Sequence, residues 1–142
     1  MSPVRIDRGD YREKISYYLS PMNNVLIVDD DKSVSTALRI TLEDKYDVTT
    51  TGSAADAFNH MAGNMVDLVL LDIRMPEMNG LEALKKIREV HPETIVLMLT
   101  AYPTEDNVRK SLESGAEGFI SKPFELDAFR EFVDNAMLKK WK

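Results

Sequence analysis

Val25-Leu26-Ile27-Val28-Asp29-Asp30-Asp31 and Leu68-Val69-Leu70-Leu71-Asp72 decide the fold of this chain. Each is a short apolar run that stops at carboxylates. Runs this short, rich in Val, Ile and Leu, predict strands buried on both faces, as in a parallel sheet. In open parallel sheets the chemistry gathers at the carboxyl ends of the strands, in a crevice where the strand order reverses. If the two strands are neighbours, Asp29, Asp30 and Asp72 meet in one pocket. Three carboxylates so close repel, and a hard divalent cation with oxygen ligands, Mg²⁺ above all, is the expected partner.

Outward from these runs, strand and helix alternate five times. The expected strands are Asn24 to Asp29, about Tyr46 to Thr51, Leu68 to Asp72, Thr94 to Thr100 and Gly118 to Ser121. Helix one covers about Lys32 to Glu43 and buries Val34, Leu38 and Leu42. Helix two is capped by Ser53 and ends near Gly63. Helix three follows a loop from Ile73 to Asn79, turns Leu81, Leu84 and Ile87 inward and ends before Pro92. Helix four runs from the cap Thr104 to Gly115. Helix five covers Glu125 to about Lys139 with Leu126, Phe129, Val133 and Ala136 inward. Regular alternation with short connections predicts crossover units, hence an α/β fold with helices on both faces of a parallel sheet.

Helix four offers only Val108 and Leu112 as clear apolar anchors. Two readings stand open: an element held loosely enough to move, or a short polar surface helix.

With 142 residues the chain is most simply one domain, long enough to bury roughly two-thirds of its unfolded surface. Its formal charge of -6, from 18 basic and 24 acidic residues, argues against direct binding of nucleic acid. There is no cysteine, hence no disulfide framework and no thiol chemistry. No apolar run approaches the ~20 residues of a membrane span, and no signal peptide is evident. A cytoplasmic location is expected.

Residues 1–22 differ in character. Asp10 to Ser20 has the pattern of a short helix, with Asp10 as cap, Glu13 three residues on, and Tyr11, Ile15, Tyr18 and Leu19 on one face. Pro21 would end it. Such a helix is marginal alone. It reads either as a docking or dimerisation arm or as a tail.

Strand four ends at Thr100-Ala101, and strand five is followed by Lys122-Pro123. A hydroxyl and an ammonium therefore join the carboxylates on one edge. This set suits transfer of a phosphoryl group to a carboxylate. Asp72 would attack phosphorus. Asp29 and Asp30 would hold a metal that shields its charge. Lys122 supplies a point charge and Thr100 a hydrogen-bond donor.

From about Asn24 to Lys140 the chain resembles a response-regulator receiver domain of two-component signalling. The matching motifs are Val-Leu-Ile-Val-Asp-Asp at 25–30, Leu-Leu-Asp-Ile-Arg-Met-Pro-Glu-Met-Asn-Gly at 70–80, Met-Leu-Thr-Ala at 98–101 and Gly-Phe-Ile-Ser-Lys-Pro-Phe at 118–124. The resemblance implies a flavodoxin-like, doubly wound sheet of five strands in the order 2-1-3-4-5 with five helices. It divides the chain into an extension over 1–22 and a receiver over 23–142. Asp72 would take a phosphoryl group from a histidine kinase or phosphotransfer protein. Asp30, Asp72 and the carbonyl of Arg74 would ligate Mg²⁺ directly, with Asp29 close by through water. Asp31 falls to the start of helix one. Thr100 and Phe119 would form a switch that alters the face of helix four, strand five and helix five. That face, or the N-terminal extension, is a candidate dimer contact. Pro76 and Gly80 would shape the loop after Asp72, and the Lys122-Pro123 bond would be cis. Arg74 and Tyr102 would stand at the pocket mouth and slow hydrolysis of the acyl phosphate. Such a domain assists its own phosphorylation and is not a turnover enzyme.

Asp29-Asp30-Asp31-Lys32-Ser33 also fits the Asp-x-Asp-x-Ser pattern of haloacid-dehalogenase-type phosphatases. There Asp29 would be the nucleophile and Asp31 the acid/base. Asp72 would have no role. His60 and His91 make no metal site, and Trp141 is either a contact residue or an exposed terminal side chain.

Overall fold

The computed structural model describes residues 22–75, 78–101 and 103–140. The expected helix at 10–20, and Pro76, Tyr102 and Trp141, lie outside the described residues. The strands are β1 (Asn24–Val28), β2 (Asp47–Thr51), β3 (Leu68–Asp72), β4 (Ile95–Thr100) and β5 (Gly118–Ser121). The helices are α1 (Lys32–Leu42), α2 (Ala54–Gly63), α3 (Gly80–Val90), α4 (Glu105–Glu113) and α5 (Leu126–Lys140). One parallel sheet runs in the order β2-β1-β3-β4-β5. Order reverses between β1 and β3, where Val28 sits opposite Leu71. That register brings the residues after Val28 level with the end of β3.

Alternation along the strands builds two cores. Leu26, Val28, Val69, Leu71, Val96 and Met98 face α2 and α3, meeting Ala57, Met61, Leu84 and Ile87. Val25, Ile27, Leu68, Leu70, Leu97 and Leu99 face α1 and α5, meeting Leu38, Leu42, Phe129 and Val133. Both faces of β1 and β3 are thus dry, which is why these strands read as continuous apolar runs.

Four helices begin at side-chain caps. Asp31 accepts from the amides of Ser33 and Val34, Ser53 from Asp56, Asn79 from Glu82 and Thr104 from Asn107. Each satisfies an amide that has no partner within its helix. Asn79 also donates to the Glu82 carboxylate at 3.2 Å, closing the α3 cap from both sides.

Some expected core positions differ. Leu126 is 46% exposed, because Phe124, stacked on Phe129 at 5.2 Å, takes the place above Phe129. The α5 stripe is Phe129, Val133 and Met137, with Ala136 half-buried at its side. Leu112 is 50% exposed, because the buried position of α4 is Ser111 and the next residue turns about 100° away. In α3, Gly80 and Ala83 join Leu84 and Ile87 inside, while Leu81 is half-buried. Val34 is likewise half-buried on α1.

Candidate phosphoacceptor site

The carboxyl ends of β1, β3, β4 and β5 bring Asp29, Asp30, Asp72, Thr100 and Lys122 to one edge. Asp29 follows β1 and extends its ladder, donating its amide to the carbonyl of Thr51 at 3.1 Å. Its carboxylate is buried and points inward. One oxygen accepts from the Asp31 amide at 2.9 Å, and the other from Lys122 Nζ at 2.6 Å. Asp72 closes β3. It accepts from the Arg74 amide at 3.3 Å and from Lys122 Nζ at 3.3 Å. Asp30 is exposed. Carboxylate oxygens of Asp29, Asp30 and Asp72 all lie within 4.8 Å of one another.

Lys122 is positioned by its own backbone. Its amide donates to the Thr100 carbonyl at 2.6 Å, just past the last pair of the β4–β5 ladder. The Lys122–Pro123 bond is cis, as expected. Burial works to lower the Lys122 pKa, but the bond to Asp29 and the charges of Asp29 and Asp72 outweigh it and hold it above the usual lysine value. The ammonium is thereby kept charged in a crevice that only paired charge tolerates. Burial and the charge of Asp29 push the Asp72 pKa up, and Lys122 and the Arg74 amide restrain that rise.

Thr100 is fully buried at the end of β4. Met98 pairs with Phe119 and Thr100 with Ser121, so Thr100 and Phe119 fall on the same face, two residues apart in register. Phe119 is half-buried against the core beneath α2 and α3. Arg74 is exposed beside Asp72.

Asp29 and Asp31 differ in what they touch. Asp31 caps α1, as the sequence indicated. The phosphatase alternative needed Asp31 as acid/base and Asp29 as nucleophile. With Asp31 engaged by two helix amides and Asp29 tied to Lys122, the geometry does not favour it. Sequence reasoning missed the part played by the start of α3. Gly80 donates its amide to the Ile73 carbonyl at 2.6 Å, packing that helix directly on the backbone that carries Asp72. The Asn79-x-x-Glu82 pattern was the signal for where α3 begins.

The family model of the response regulator receiver domain matches residues 25–134. The chain belongs to the response regulator receiver family. This receiver is 38% identical over 104 residues to the transcriptional regulatory protein DltR of Streptococcus agalactiae, covering 72% of this chain and 46% of that protein. It is 37% identical over 113 residues to the response regulator protein PilR of Pseudomonas aeruginosa, covering 79% and 25%. The chain therefore spans less than half the length of these curated relatives. Among solved structures, a CheY-like receiver domain protein of Methanospirillum hungatei matches with a TM-score of 0.81 at 28% identity, covering 84% of this chain and 96% of that one. The chemotaxis response regulator CheY4 of Vibrio cholerae matches at 0.75 and 28%, covering 81% and 98%. As a receiver of two-component response regulators, the chain is a signalling domain of a family that works through phosphorylation. Among the described residues no helix is long and apolar enough to cross a membrane.

Proposed function

We propose that this receiver takes a phosphoryl group on Asp72 and passes the change to the face of α4, β5 and α5. The donor is a phosphohistidine on a histidine kinase or phosphotransfer protein. An Asp72 carboxylate oxygen attacks phosphorus, the P–N bond breaks, and the imidazole leaves with the electron pair and takes up a proton. The observation that carries this reading is Asp72 at a strand end, with Lys122 Nζ at 3.3 Å and two further carboxylates in reach.

Three carboxylates with oxygen donors this close fit a hard divalent cation. Asp30, Asp72 and the Arg74 carbonyl would hold Mg²⁺, with Asp29 nearby. Bound there, the ion would offset carboxylate repulsion and the charge of the phosphoryl oxygens. Lys122 neutralises a further phosphoryl oxygen, and its bond to Asp29 keeps it aimed at the pocket. Thr100 donates its hydroxyl to another oxygen once the acyl phosphate forms. Phe119, on the same face, then turns inward, and the α4–β5–α5 face changes. A local charge thus biases a two-state element.

The receiver unit in this reading is 23–142, preceded by an extension over 1–22. It acts in the cytoplasm by protein contact and not by binding nucleic acid itself. The α4–β5–α5 face or the extension would carry any homodimer contact. Gly80 and Pro123 hold the loops around the pocket. The direct test is incubation with acetyl phosphate and Mg²⁺, followed by intact mass. One phosphate adduct, lost when EDTA replaces Mg²⁺, is expected. No adduct, or an adduct that forms equally well in EDTA, would contradict the reading.

A further inference from the structure

The guanidinium of Arg88, near the end of α3, is directed entirely at backbone carbonyls. Nη1 donates to the Gly115 carbonyl at 3.3 Å. Nη2 faces the carbonyls of His91 at 3.4 Å, of Pro92 at 3.0 Å and of Thr94. Three of these acceptors lie in the turn between α3 and β4. The fourth belongs to the turn that closes α4. The stem follows the head: a Cβ on Gly115 would lie 2.5 Å from Cδ of Arg88. Gly115 also has φ +101°, a conformation that favours glycine. Both conditions keep this position bare and let the arginine lie across it. Nε of Arg88 is buried without a partner among the described residues. That cost is accepted only where the remaining donors are well used.

The rest of α4 holds to the body of the protein lightly. Ser111 is its buried residue. Its ion pairs, Asp106 with Arg109 and Lys110, are internal to the helix. Its N-terminal cap, Thr104, stands four residues along the chain from Thr100 at the pocket. The turn just past its C-terminal end, at Gly115, is where Arg88 attaches.

We infer that Arg88 is a positioning residue that pins the C-terminal end of α4 to α3 and makes that end the pivot of the helix. A helix fixed at one end answers a push by swinging the other. A change at Thr100 therefore moves residues 103–108, at the N-terminal end of α4, and residues 113–116 stay in place. This second half rests on the proposed role of Asp72, whereas the pin itself does not.

Amide hydrogen exchange on the full chain separates the two. In Arg88→Met without ligand, exchange over 105–117 is expected to rise about tenfold or more while β1 and β3 keep wild-type protection. Faster exchange confined to 91–94, with 105–117 unchanged, would mean that Arg88 merely closes the end of α3 and would overturn the pin. Should Arg88→Met not fold, Arg88→Lys is read the same way, since one ammonium cannot span both turns. With beryllofluoride and Mg²⁺ added to the wild type, changes are expected at 103–108 and not at 113–116. Changes centred on 113–116 would overturn the pivot. No change anywhere would count against the proposed site and leave the pin to the first comparison.

Discussion

Gly80 rests its Cα against the backbone of Asp72. A Cβ at Gly80 would run into the Asp72 carbonyl oxygen and lie 2.7 Å from Cα of Ile73. Both contacts are backbone, so neither can swing aside. Gly80→Ala must part α3 from β3, an overpacking that costs about 1–3 kcal/mol. Phosphorylation of Asp72 should slow with it, because the strain falls on the residue that reacts. Denaturant unfolding and labelling by acetyl phosphate check the two effects. Gly63→Ala is the control, since nothing lies within 4 Å of its added Cβ. Wild-type stability and labelling in Gly80→Ala would contradict the packing described.

Asp30 and Asp31 are neighbours in sequence with separate tasks. Asp31→Ala removes the α1 cap and should cost about 1 kcal/mol of stability. It should leave untouched the stabilisation gained from Mg²⁺, which at a hundredfold excess over Kd is about 2.7 kcal/mol. Asp30→Asn should behave in the opposite way, with little loss of stability in EDTA and a much smaller gain from Mg²⁺. Unfolding titrations with and without the ion would expose an exchange of these roles.

Tyr46 ties the start of β2 to α5 through a hydrogen bond to Asp134. Burial, with help from that bond, pushes the Tyr46 pKa far above its ordinary value of 10.0. As pH rises past 10, the unfolded chain gives up this proton and the folded chain keeps it. The folded state then binds more protons, so stability falls with rising pH. Tyr46→Phe should be less stable at neutral pH by about 1 kcal/mol. The gap between the two proteins should narrow above pH 10. A constant gap from pH 7 to 11 would show that the phenol is not held protonated by the fold.

Arg74 is exposed next to the carboxylate it supports through its amide. Together with Tyr102 it is expected to hinder the water that hydrolyses the acyl phosphate. Replacing both with small residues should speed loss of label by roughly tenfold, about 1.4 kcal/mol of barrier. The rate is followed by the decay of the intact-mass adduct after the donor is removed. An unchanged decay would remove both residues from the account.

Much of the fold was legible because local signals agreed. β1 and β3 are buried on both faces, and their unbroken Val, Ile and Leu composition says so directly. Ser53 and Thr104 begin helices as their types suggest. The site was legible because its members sit at strand ends, so placing the strands placed Asp29, Asp72, Thr100 and Lys122 on one edge. What escaped was contact across distance. Periodicity turned Leu126 inward and composition offered Leu112 as an anchor of α4, but half-buried Phe124 and buried Ser111 pack there instead, which only packing decides. Gly80 was legible as the residue that opens α3, but not its close approach to the Asp72 backbone. Nothing near Arg88 in the sequence points to Gly115, since their contact depends on where β4 leads the chain between them.

The most direct test of the account is the position of the phosphoryl group. Borohydride reduces an acyl phosphate on aspartate to homoserine, and peptide mass analysis finds the converted residue. After labelling with acetyl phosphate and Mg²⁺, homoserine is predicted at position 72 and no conversion in Asp72→Asn. Homoserine at position 29, or a phosphate that survives borohydride on a serine or threonine, would contradict it.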